Sequence, residues 1–150
     1  MFESTHGIRL PSDYRSFLSE LGNGGAGPYY GVFKLGEMDD HSGFKPWTAD
    51  GIVGNLAKSF PYTTSWNLSA EELERIQTSE DDEEILRVYW IAIDGAIPIC
   101  HEGCALRDWL VVSGTEAGRV WHDATADLEG WSPCTFPDGR HMTFADWYLA

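Results

Sequence analysis

The sequence predicts an α+β fold in which helices flank a single, mainly antiparallel β-sheet. Three observations carry this. An amphipathic helix opens the chain, two acid-capped helical segments occupy the middle, and a glycine-punctuated series of short apolar strands fills the second half. Helix and strand come in blocks and do not alternate, which argues against a doubly wound nucleotide-binding sheet.

The first helix spans Leu10 to Gly22. Leu10, Tyr14, Phe17, Leu18 and Leu21 recur at helical spacing on one face. Pro11 suits a first turn, where its missing N–H costs nothing, and Gly22 suits a helix exit. The loop Asn23 to Pro28 follows a helix and leads toward a strand at Tyr30 to Leu35, the reverse of a phosphate-cradling order. Residues 36–62 read as irregular, with a short turn near Gly51 to Lys58.

Ser69-Ala70-Glu71-Glu72 has the capping-box spacing and predicts a helix through about Gln77. Asp81-Asp82-Glu83-Glu84 places acids where the first turn of a further helix favours them. Ile85, Val88, Tyr89 and Ala92 share a face there, although Val88 to Ile93 is equally good strand material. Ile97 to Ile99, Trp109 to Val112 and Arg119 to His122 read as strands, with turns near Gly103, Gly114 and Gly118. Pro98 confines its strand to an edge or a start. Pro137-Asp138-Gly139 is a turn, and Thr143 with Asp146 caps a closing helix.

The 150 residues fit one domain spanning 1–150. No apolar run reaches the ~20 residues that span a bilayer, and the first residues lack a basic segment followed by an apolar one. Three cysteines leave at least one unpaired and make no disulfide framework. A cytoplasmic, non-membrane protein is expected. Asp and Glu number 24 against 10 Lys and Arg, a formal net charge of −14. Nucleic acid would be repelled by such a surface, whereas a basic protein would be steered toward it.

Several short motifs, taken in order, resemble one family. Leu10-Pro11-x-Asp13-Tyr14-Arg15-x-Phe17-Leu18, followed by Asn23-Gly24, is similar to the N-terminal helix motif of the SUKH (Smi/Knr) superfamily. Gly95 to Ile99, Glu102-Gly103-Cys104, Leu110-Val111-Val112-x-Gly114 and Gly118-x-Val120-Trp121 resemble its central strands. Thr143-Phe144-x-Asp146-Trp147-Tyr148-Leu149 resembles its last helix. The chain departs from the pattern in a short or missing helix before Leu10 and in ending at Ala150. The resemblance implies a non-catalytic protein-binding domain without a cofactor. In bacteria it implies an immunity protein, or antitoxin, that neutralises a polymorphic toxin, often a nuclease.

A second class of function, a small metal- or thiol-dependent hydrolase, would draw on His101, Cys104, His122 and Asp123, with Cys100 alongside. Zinc sites usually show paired ligands twice, and the second pair is missing. A small buried cysteine beside a turn glycine accounts for Cys104 as well. Cys104, His122 and Asp94 or Asp123 formally supply a Cys-His-Asp triad, and Asp39-Asp40-His41 a cation loop, but no spacing singles them out. No metal ligand or catalytic residue is therefore assigned.

The densest functional feature is acidic: Glu71, Glu72, Glu74, Glu80, Asp81, Asp82, Glu83 and Glu84, with Arg75 as the basic residue among them. Acid runs are most often solvated helix faces. This one also has the charge needed to meet a basic toxin domain. Trp47 and Trp66 lie in polar loops, and exposed indoles there would serve as contact hot spots.

Overall fold

The computed structural model describes residues 1–37, 52–89 and 91–150, the side chains of 86–89 excepted. The described elements are α1 (Phe2–His6), α2 (Ser12–Glu20), α3 (Ala70–Thr78), α4 (Asp82–Tyr89), β1 (Ala96–Gly103), β2 (Leu106–Val111), β3 (Val120–Ala124), β4 (Gly130–Pro133) and α5 (Phe144–Leu149), with one 3-10 turn at Thr125–Asp127. The four strands form one antiparallel sheet in sequential order. This is the α+β architecture that the block order of the sequence predicts.

One sheet face packs against α2 and α5. Phe144 meets Tyr14 with ring centroids 4.9 Å apart and Phe17 at 5.2 Å, both edge to face. Asp13 joins the two helix starts. Its Oδ1 accepts the Tyr14 N–H at 2.8 Å, and its Oδ2 accepts the Ala145 N–H at 2.9 Å in the first turn of α5. One carboxylate thus satisfies exposed donors of two helices distant in sequence. The other face is covered by residues after Gly54: Phe60 lies 5.1 Å from Trp121 and 5.8 Å from Trp131.

Both predicted capping boxes form. Ser69 and Glu72 exchange hydrogen bonds at the start of α3, and Thr143 and Asp146 do so at α5. Pro11 is the N-cap residue of α2, one position before the first helical turn. Pro98 lies in edge strand β1, and the register shifts beside it, between Pro98 and Cys100. Gly95 opens β1 at φ 71°, and an added Cβ would strike the backbone of Lys58 to Phe60. Only glycine permits that approach.

Two features differ from the sequence reading. The strand expected over Tyr30 to Leu35 reduces to bridges from Val32 to Gly25 and to Cys100. Positive φ at Tyr29 and Gly31 breaks the extended backbone there. Conversely, β4 forms from Gly130–Pro133, a segment to which the sequence reading assigns no element. Its pairing comes from β3 on one side and a Trp66–Trp131 bridge on the other. The choice between helix and strand after Val88 divides the segment: α4 continues to Tyr89, and Ile93 forms a parallel bridge with Val53.

Candidate functional site

Seven of the eight predicted acids, Glu71, Glu72, Glu74, Glu80, Asp81, Asp82 and Glu83, are exposed on α3, α4 and their connection, and Glu84 is half-buried. Three also have local structural roles. Glu72 closes the capping box, and hydrogen bonds from Ser69 hold its carboxyl below the usual range. Asp81 Oδ1 accepts the Glu83 N–H at 3.0 Å and the Glu84 N–H at 3.4 Å. Glu84 bridges the two helices, pairing with Arg75 at 3.3 Å and accepting the Ser79 hydroxyl at 3.2 Å. The pair at Arg75 uses up the one basic side chain among these acids, leaving the segment strongly anionic.

Trp66 lies at the border of this surface. It is half-buried, its ring stacks on Tyr62 at 5.0 Å, and its backbone pairs with Trp131. It lines a small cleft with Leu73 of α3. Trp47 and the Asp39-Asp40-His41 loop lie outside the described residues.

The hydrolase set does not assemble. His122 and Asp123 are consecutive on β3, so their side chains project from opposite faces of the sheet. Asp123 is buried against Thr125, whose hydroxyl and N–H its Oδ1 accepts at 2.5 and 3.0 Å. Burial outweighs those bonds and raises its carboxyl above the ordinary range. Cys104 is exposed in the β1–β2 turn, while Asp94, at the other end of β1, accepts the Asn55 N–H at 2.7 Å. His101 packs near Tyr30, ring centroids 6.0 Å apart.

His122 instead meets two carboxylates that sequence reasoning did not select. Its Nδ1 lies 3.0 Å from Asp108 Oδ1 and 3.3 Å from Glu102 Oε1. The three residues come from β1, β2 and β3 and face one open groove of about 470 Å³, which Tyr29, Cys134 and Trp147 also line. Asp108 is 1% exposed, and its Oδ2 accepts the Trp147 indole N–H at 2.8 Å. Burial, then the hydrogen bond and charge of Asp108, push Glu102 up to about 7. The Asp108 hydrogen bond, with the charges of both acids, raises His122 against the opposing effect of burial. Burial lifts the neighbouring Cys134 thiol well above its normal range, so it is not a poised nucleophile. The only sequence signal for this cluster was alternation: Asp108 and His122 interrupt otherwise apolar strand faces.

Among the described residues no helix is long and apolar enough to cross a membrane. No curated protein and no solved structure gives a match to the chain. The model of the SMI1 / KNR4 family (SUKH-1) matches residues 1–133, well over half of the sequence. The ordered motifs from the Leu10-Pro11 helix to the β1–β3 meander all fall within that match. By this measure the chain belongs to the SMI1/KNR4 (SUKH-1) family.

Proposed function

We propose that this protein is a non-catalytic, intracellular immunity protein that neutralises a basic toxin domain by binding it through the α3–α4 surface. Its family generally includes immunity proteins of polymorphic toxin systems. The observation that carries the choice of surface is the display of seven exposed carboxylates across two short helices and their connection, with Arg75 engaged by Glu84. A nuclease toxin must present cations to phosphates, and those cations would meet this surface. Complementary charge acts within about a Debye length, ~8 Å at physiological salt, and mainly accelerates encounter. Trp66 adds an apolar contact at the border.

The test searches the neighbouring genes for a secreted protein with a toxin-like C-terminal domain and pairs the chain with that domain. Co-expression should restore growth, and absence of rescue would overturn the immunity reading. Association kinetics over a salt series then compare wild type with Glu71→Ser, Glu74→Ser, Glu80→Ser and Asp82→Ser combined. These four avoid the capping and bridging roles of Glu72, Asp81 and Glu84. The on-rate should fall at low salt and its salt dependence should flatten. Unchanged on-rates would move the interface to another face.

A further inference from the structure

We propose that Glu102, Asp108 and His122 form a binding site for a divalent transition-metal ion, zinc being the probe of choice. The inference is independent of the immunity reading and of the acidic surface on α3 and α4.

Three ligand atoms, one from each of three adjacent strands, lie within 4.8 Å of one another. The shortest separations, 3.0 Å from His122 Nδ1 to Asp108 Oδ1 and 3.3 Å to Glu102 Oε1, resemble distances between neighbouring ligands in a coordination sphere. Bonds of roughly 2.1 Å to a tetrahedral ion place neighbouring ligand atoms about 3.4 Å apart. With the third separation no more than 4.8 Å, an ion on the groove side would draw the carboxylates inward and replace the His122–Asp108 hydrogen bond. With their protons released to solvent on binding, two carboxylates and a neutral imidazole carry two negative charges, which a divalent cation cancels. No Lys or Arg is among the described residues lining the groove.

The support behind the ligands is that of a metal site. Trp147 fixes Asp108 by donating to Oδ2, which leaves Oδ1 directed at His122. Such outer partners orient ligands and commonly govern affinity. The sheet supplies rigidity, because Asp108 and His122 are paired residues of neighbouring strands. The open groove leaves room for water to complete the sphere. An imidazole with two hard oxygens favours zinc, manganese or ferrous iron over soft monovalent ions. Cys134 Sγ lies 3.9 Å from Asp108 Oδ1 but outside the group of three, so the ligand set is oxygen and nitrogen.

Zinc chloride is titrated calorimetrically into the full chain carrying Cys104→Ser, which removes the exposed thiol. One ion per chain is expected. Glu102→Gln and His122→Gln should each weaken binding at least tenfold. Trp147→Phe, which touches no ligand atom except through Asp108, should weaken it roughly tenfold or more. Absence of stoichiometric binding, or affinity unchanged in these variants, overturns the proposal. Should a variant not fold, cobalt(II) added to the same parent chain decides. Weak d–d bands without a thiolate charge-transfer band are expected, and diamagnetic zinc added to the same chain should shift the nitrogen-15 resonances of the His122 ring alone among the histidines. A strong thiolate band, or shifts at another histidine, refutes the assignment.

Discussion

Trp147 donates its indole N–H to Asp108 Oδ2 across 2.8 Å in the interior, tying the last helix to the centre of the sheet. Asp108 is buried and lies between Cys100 of β1 and His122 of β3. A buried carboxylate needs partners, and the indole supplies one without adding a charge.

Trp147→Phe keeps most of the packed ring area and removes this hydrogen bond. It should lower unfolding stability by about 1.5–3 kcal/mol, the range for hydrogen bonds to charged groups. Thr143→Ala, which removes a cap of the same helix, should cost about 1 kcal/mol. Urea unfolding of the two variants checks the order. A larger loss for Thr143→Ala would mean that the helix, not its link to the sheet, limits stability.

The β1–β2 turn places Cys104 and Ala105 at φ 52° and 63°, the left-handed pattern of a tight hairpin turn. Neither residue favours that conformation, whereas Asn-Gly does. Cys104→Asn with Ala105→Gly should therefore stabilise the fold by about 1 kcal/mol, or roughly 2–4 °C at this chain length. Calorimetric midpoints in reducing buffer read the change. A lower midpoint would show that the turn is not left-handed at both positions.

Burial, then the charge of Asp123, raises the Tyr62 hydroxyl from 10.0 to about 12. The unfolded chain ionises first as pH rises, so it binds fewer protons than the fold between these values. Stability from this group is fully present below pH 10 and is lost progressively toward pH 12. Tyr62→Phe should consequently lose less stability than wild type across that interval. The check is the difference in thermal midpoint between the two chains at pH 9 and pH 11.5. A constant difference would leave Tyr62 outside the alkaline transition.

Helix starts were the most legible features of the chain, because capping chemistry acts over three residues. Ser69 with Glu72 and Thr143 with Asp146 form the boxes that their spacing predicts. The edge position of Pro98 was legible for a similarly local reason, its missing donor. Strand β4 was not, since Trp131-Ser132 carries little periodicity and forms a strand only because β3 and Trp66 pair with it.

The sequence by itself determined the class of fold, the family and the anionic character of α3 and α4, all of which rest on composition, local periodicity and motif order. Only the tertiary structure decided which side chains meet. His101, Cys104, His122 and Asp123 looked like neighbours because they are close or similarly spaced in sequence. Sheet alternation instead sends His122 and Asp123 to opposite faces. Register then brings Asp108 beside His122 across two strands, with Glu102 on the next. Such contacts depend on strand pairing, and a shift of one residue would exchange every face.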